Sequence, residues 1–433
     1  MAHLFPAHRV AAGLHTLPAL VKPFAATQAA WRFYNNPEVA LPQLAGPLID
    51  FARQEVPTVC HTWMVTVLDW CNLHYAHHGS KSGRVELARS EDLGYELLTA
   101  LGLSDRDGSP IAPLCLELRA QDGVHGTRDH SPLPAMSALD GLEPVMEQVQ
   151  KLQLGKRPVF IIDREADSVW HYRQWSGRGW HYVIRANEAR WVLAAGGECR
   201  LSQVAARLKD QGALREVRRV EYQDQPARQF VAQTVVVLHR PARQHRVDRH
   251  SGKSRHVDIP GVALELRLVV SEIRDEHGKV LARWLLLTNL PAELSAATVA
   301  LWYYWRWRIE SYHKLLKGAG QQIECWQQQT PQALARRLLV AAMASVVVWH
   351  LARDARPQAA QVREVLVSLS GRQMKRGKSA RGFTEPALLA GLGVLIPMLL
   401  LLEQYDVQEL RRMAGQALPG IFPISQAPRQ DAT

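Results

Sequence analysis

Apolar positions along this chain follow two periods, and the switches between them divide it into segments. Residues 1–58 carry helix-like spacing, clearest in AGPLIDFARQ after several proline-punctuated stretches. From Thr62 the pattern becomes a strand run, TWMVTVLDW, which delivers Asp69 near its end. Two more runs, Gly94 to Leu103 and Pro113 to Arg119, flank the turn-rich 104–110 stretch SDRDGSP. Together these predict a three-stranded meander. Gly141 to Leu154 reads as a helix with Leu142, Val145, Met146, Val149 and Leu152 as its buried stripe. A compact apolar run from Pro158 to Ile162 then ends at Asp163, followed by a helix from Arg164 to Trp175 and a strand from Trp180 to Arg185.

Strands in a meander, then strand, helix, strand, form an α/β pattern in which carboxylates at strand ends meet in a crevice. Residues 59–190 are the first part of that unit. Residues 191–288 differ: QFVAQTVVVL, GVALELRLVVSEI and VLARWLLLTNL are strand-like, with one helical stretch at Leu201 to Leu208. Between the first two lies HRPARQHRVDRHSGKSRH, expected to be a basic loop that either meets phosphates or is simply solvated. Residues 289–330 hold a long helix expected from Ser295, with Gly318 at the C-terminal cap position. Residues 331–433 are helical and strongly apolar, interrupted by the basic stretch Arg372 to Arg381 and frayed from Pro419. The run from Ala387 to Leu402 contains Pro397 and is short for a membrane span, so core helix is expected.

The long helix carries costly polar groups on one side. At roughly 100° per residue, Tyr303, Arg306, Glu310, Lys314 and Lys317 share an arc of about 80°, while Trp302, Trp305, Ile309, Leu315 and Leu316 cover the other faces. Such a helix packs inside a domain, so the stripe should line a cleft. Surface ion pairing is the plain alternative, Arg306 with Glu310 at i,i+4 stabilising by only about 0.3 kcal/mol. A carboxylate among a phenol and three cations suits a different task. Glu310 can help hold a divalent metal while the cations grip phosphate oxygens, provided that carboxylates elsewhere join it. Asp69 and Asp163 are placed to do so; turn forming or helix capping is the simpler reading of each.

Composition narrows the partner. The 433 residues are 47% hydrophobic, enough for more than one core, and the formal charge of +11 points to a polyanion or an anionic membrane surface. The five cysteines are scattered without a C-x-x-C pair, which argues against a zinc site or a disulfide framework. The first twenty residues lack signal-peptide organisation, and a cytoplasmic location is expected.

The spacing Tyr303-x2-Arg306-x3-Glu310-x6-Lys317, in the context RWRIESYHKLLKGAG, resembles the YREK signature of bacterial DDE transposases of the insertion-sequence-four family. The stretch from Val159 to Asp167 resembles that family's second-carboxylate strand and turn, VTVLDW its first, and the segment from Arg283 to Pro291 the stretch before the signature helix. The resemblance covers about residues 60–330. After Asp69 the chain reads Trp-Cys-Asn-Leu-His where the family more often has Thr-Thr, and the segment before it is short for a full end-recognition domain.

This resemblance implies an RNase H-like catalytic core interrupted by a β-rich insertion, and two Mg2+ ions, with Mn2+ able to substitute, held by catalytic Asp69, Asp163 and Glu310. It implies cut-and-paste transposition on double-stranded DNA, transposon ends and target alike, by nicking, hairpin formation and strand transfer. A homodimer without membrane attachment follows from it, with the C-terminal helices as one place for self-association. Trp284 is then expected as a stacking platform for a flipped base, and Tyr303, Arg306, Lys314, Lys317 and Arg185 as DNA-binding residues. Glu165 and Asp167 are expected in helix-terminal and salt-bridge roles. A transposase-derived DNA-binding protein without catalysis, or another RNase H-like nuclease, are the alternatives.

Overall fold

The computed structural model describes residues 23–89, 91–128, 139–247, 254–372 and 382–417. The first 22 residues, most of the basic stretch at 372–381, residues 248–253 of the basic loop and the segment from Pro419 lie outside these residues. Helices α1 (Pro23–Asn35) and α2 (Leu41–Val59) precede strands β1 (Trp63–His74), β2 (Val85–Glu86), β3 (Leu93–Ser104), β4 (Pro110–Ala120) and β5 (Gly123–Gly126). Then come α3 (Leu142–Lys151), β6 (Arg157–Ile162), a 3-10 turn (Arg164–Ala166), α4 (Val169–Gly177) and β7 (His181–Arg185). The next segment holds β8 (Trp191–Ala194), β9 (Gly197–Arg200), α5 (Leu201–Asp210), β10 (Arg215–Tyr222) and β11 (Gln225–Leu238). It continues through β12 (Ala242–Val247), β13 (Ser254–Ile259), β14 (Leu264–Arg274) and β15 (Val280–Thr288). Helices α6 (Ala296–Tyr304), α7 (Trp307–Leu316), α8 (Pro331–Arg353), α9 (Pro357–Leu369), α10 (Glu385–Leu402) and α11 (Val407–Ala417) complete it.

Thirteen strands form one sheet whose main path runs β5-β4-β3-β1-β6-β7-β15-β14-β11-β8-β9. The meander read from the sequence is β1, β3 and β4, paired antiparallel. At the centre β1, β6 and β7 are parallel. Parallel strands are buried on both faces and need continuous rather than alternating apolar residues. The sequence supplies them: Val159, Phe160, Ile161 and Ile162 of β6 and Val65, Val67 and Leu68 of β1 are fully buried. Each large side chain so buried stabilises by roughly 2 kcal/mol.

All the strands of the 191–288 segment except β12 and β13 extend this same sheet, because β15 pairs with β7 and β14 with β15. The basic loop is built largely as a two-stranded hairpin, β12 with β13, rather than as an open loop. Two helices read from the sequence are broken. The Arg164–Trp175 stretch is a 3-10 turn and then α4, separated at Asp167 and Ser168.

The signature helix is also two helices, α6 and α7. Ser295 caps the first, its hydroxyl accepting from the Thr298 N–H. At the junction, Arg306 N–H bonds to the Tyr303 carbonyl and Ile309 N–H to Arg306, the tighter i to i+3 pattern. The turn between β3 and β4 lies under this break. Gly108 there has φ of +68°, and a Cβ added to it would stand 2.4 Å from the Trp305 ring, so both conformation and contact require glycine. Gly318 does not adopt the left-handed cap conformation, and α7 ends at Leu316 with Lys317 as its C-cap.

Helix α10 buries only its first half. Ala387, Leu388 and Leu389 are covered, whereas Met398, Leu399 and Leu402 are exposed, which corrects the reading of the whole 387–402 run as core. Helices α8 and α10 are long and apolar enough to cross a membrane; α8 is largely buried against the sheet and α2.

Candidate active site

The parallel register brings two acids together. Leu68 of β1 stands opposite Ile162 of β6, where their parallel pairing stops, so Asp69 and Asp163 stand level. Asp163 follows the last residue of β6, but Asp69 lies inside β1, which continues to His74 against β3 and so corrects the reading of Asp69 as a strand end. Asp163 extends its strand by one residue and caps the following turn, its side chain accepting from the Arg164 N–H. Turn forming and site building, alternatives in the sequence, are here done by the same carboxylate. The third acid arrives on α7, which lies across β1: Lys317 Nζ donates to the Asn72 carbonyl at 2.5 Å, and Arg306 donates to Asp69.

Arg306 sits at the break between α6 and α7 and is the hub. Its guanidinium lies 2.9 Å from Asp69 Oδ2, 2.9 Å from Glu310 Oε1 and 3.5 Å from Asp163 Oδ2. Arg185, at the end of β7, adds a longer contact of 3.9 Å to Asp163. The Tyr303 hydroxyl faces Asp163 at 3.4 Å. Three of the predicted acids therefore converge with Tyr303, Arg306 and Arg185. Lys314 is exposed one turn beyond Glu310. Lys317 is tied back to Asn72 and, at 3.2 Å, to Glu324.

The electrostatics show acids outnumbering cations. Burial pushes Asp69 up to about 6; Arg306 and the Trp70 N–H oppose that rise, while Glu310 and Asp163 add to it. Burial likewise raises Glu310 against the pull of Arg306, with Asp163 adding to the rise. Burial works against the charge of Arg306, but Tyr303 and the three carboxylates outweigh it and leave its pKa above the ordinary value. His313, on the inner face of α7, is pushed down to about 3 by burial and by Lys317 and Arg306, so it is neutral.

Among the described residues no three His, Cys, Asp or Glu side chains stand close enough to hold one metal ion as arranged. The Arg306 guanidinium is what lies between the acids. The donor set nonetheless fits a hard divalent cation: three carboxylates from three elements, repelling one another, with Arg306 shared among all three and Arg185 near Asp163 alone.

Trp284 is a correction. It is 6% exposed, tilted against Tyr303 with centroids 5.3 Å apart and near Tyr222 at 6.5 Å, so the structure gives it to the core rather than to an open platform. Asp167 does take the expected salt-bridge role, with Arg190 at 2.7 Å. Sequence reasoning missed Asp105, whose carboxylate accepts from the N–H groups of His61, Thr62 and Trp63 and fixes the start of β1. It also missed Glu324, which receives the His74 N–H at the far end of β1 and pairs with Lys317. An aspartate in a turn and a glutamate beyond the signature offer no period to mark them.

No curated protein matches the chain. The family model described as the transposase DDE domain matches residues 136–347, a stretch that includes Asp163, Arg185, Arg306 and Glu310 and leaves Asp69 outside. The chain carries a DDE transposase domain.

Proposed function

We propose that the protein is a metal-dependent, cut-and-paste DNA transposase of the hairpin-forming type, with Asp69, Asp163 and Glu310 as its catalytic carboxylates. The observation that carries this reading is the convergence of the three acids on one guanidinium where the parallel pairing of β1 and β6 stops. Those carboxylates would hold the divalent ions, physiologically Mg2+, whose chemistry is to stabilise charge on attacking and leaving oxygens of a phosphodiester. The chain's own residues do the rest. Tyr303 and Arg185, beside Asp163, and exposed Lys314 are placed to orient phosphate oxygens, and Arg306 exchanges carboxylate for phosphate contacts as substrate enters.

Water first opens one strand at the transposon end and leaves a 3′-hydroxyl. That hydroxyl attacks the opposite strand, forming the hairpin as the second phosphodiester bond breaks. Paired ends require two protomers, and the exposed apolar residues Met398 and Leu399 of α10 and Met413 of α11 support self-association there.

The test is incubation of the full chain with Mg2+ and DNA carrying the inverted repeats that flank its own reading frame. Nicks followed by hairpins are expected, and Asp163→Asn should bind the same DNA without cutting it. Binding without cleavage by the unaltered protein would instead favour a DNA-binding protein that has lost its chemistry.

A further inference from the structure

Beyond the acidic centre, the carboxyl ends of β6 and β7 open onto a second cavity, of about 740 Å³. Ligands of α/β sheets gather outside such strand ends. The turn after β6, the loop after β7 and the loop after β11 form its walls. Four arginines line it, Arg164, Arg190, Arg240 and Arg243, against a single acid among the described lining residues, Asp167. That acid is already spent: it accepts from Arg190 Nε at 2.7 Å, from the Asn187 N–H at 2.8 Å and from the Tyr172 hydroxyl at 3.0 Å. The cavity is therefore cationic, with Arg190 held rigidly by its partner.

One wall is Trp191, 36% exposed at the start of β8. The Arg240 guanidinium packs over its ring at 4.4 Å and is itself fixed by Glu198 at 2.6 Å, and the Arg200 guanidinium stands farther off the same ring at 5.4 Å. Arg164 directly follows Asp163 and joins this cavity to the acidic centre. No residue assigned to the proposed reaction lines it.

Interleaved arginines and an exposed indole in a concave wall suit nucleotides whose base faces are uncovered. In a duplex those faces are stacked on one another, and only backbone phosphates could meet such a wall. We propose that this cavity binds an unpaired DNA strand as it leaves the acidic centre, Arg164 and Arg243 taking phosphates while Trp191 and Arg240 present planar surfaces to a base. The inference rests on the transposase reading and adds a strand-separated segment to its substrate.

The experiment measures binding by fluorescence anisotropy with the full chain in EDTA, so cleavage plays no part. Two labelled DNAs share one duplex sequence; one is blunt and the other bears a single-stranded thymidine tail. The unaltered protein should prefer the tailed DNA. Trp191→Ala and Arg243→Ala should each weaken tailed binding, the first by about tenfold, as expected for one lost base stack, and leave blunt binding unchanged. A tail carrying 5-iodouracil should cross-link to the peptide containing Trp191.

Equal affinity for the two DNAs, equal losses on both, or cross-links confined to other peptides would overturn the proposal. Preference for a tail of RNA over one of DNA would do so too. Thermal melting identifies a variant that fails to fold, and Trp191→Phe, which keeps a ring, should then restore the preference. Asp163→Asn keeps the two readings apart: it should abolish cutting while retaining the tail preference, so either can fail without the other.

Discussion

Asp163 and Asp167 stand on one turn and carry their charge in opposite ways. Asp167 is 4% exposed at its side chain and holds its own arginine, a backbone N–H and a phenol hydroxyl. Asp163 is 31% exposed and shares the Arg306 guanidinium with two other acids. A carboxylate with a full set of donors has nothing left to offer a ligand. Carboxylates that outnumber their cations are held together against repulsion and gain from any further positive charge. The contrast separates a structural acid from a reactive one within a single sequence motif.

The strongest way to break that contrast is to neutralise each acid. Asp163→Asn should lower DNA cleavage by about a thousandfold or more, the scale on which loss of a group that stabilises reacting charge is felt, with little change in stability. Asp167→Asn should act the other way. It leaves Arg190 buried without its counter-charge and should destabilise by about 3 to 5 kcal/mol in urea unfolding, while the folded fraction still cuts. Equal stability losses in both variants would erase the distinction.

How far this contrast was legible in sequence follows from what each residue depends on. Asp69 and Asp163 could be found because each follows an apolar run that must be buried on both faces, and the parallel pairing that stops at Leu68 and Ile162 sets the two acids level, although β1 itself continues to His74. Glu310 could be found from helical spacing and from the family's signature. The break at Trp305 and Arg306 could not, since the turn that packs against the Trp305 ring, at Gly108, lies nearly two hundred residues earlier. That break turns Arg306 into the acids. The burial of Trp284 was hidden for a similar reason, because its covering residues, Tyr303 and Tyr222, come from other elements. Local periods reveal what a residue's own strand or helix imposes; they are silent on which distant side chain closes over it.

The second prediction sharpens the contrast through pH. Asp69 has a folded-state pKa of about 6 against an ordinary 3.8, with burial as the main cause. The folded form thus binds this proton more tightly than the unfolded chain, so the stability linked to it is fully present below about pH 4 and lost as pH rises through 6. The loss is about 3 kcal/mol at most. Asp69→Asn should remove that dependence: the variant gains on the unaltered protein from pH 4 to pH 7 in urea unfolding, and a constant difference across that range would contradict the assignment. Divalent cations compete with the same proton, so Mn2+ affinity measured by calorimetry should fall as pH drops below 6. Because Arg306 restrains the rise, Arg306→Gln should move that midpoint to higher pH.

The smallest effect compares the two lysines of α7. Lys317 is tied to Asn72 and Glu324, so Lys317→Ala should loosen the end of the helix and show itself in thermal melting. Lys314 is exposed one turn past Glu310, with no ion pair among the described residues. Lys314→Ala should leave melting unchanged. If Lys314 meets a phosphate, its loss should weaken DNA binding a few-fold at any sequence and reduce the slope of log affinity against log salt by about one. A slope identical to that of the unaltered protein would leave Lys314 as a solvated surface charge. The cationic grip would then reside in Arg185 and Arg306, the two arginines that already touch the acids.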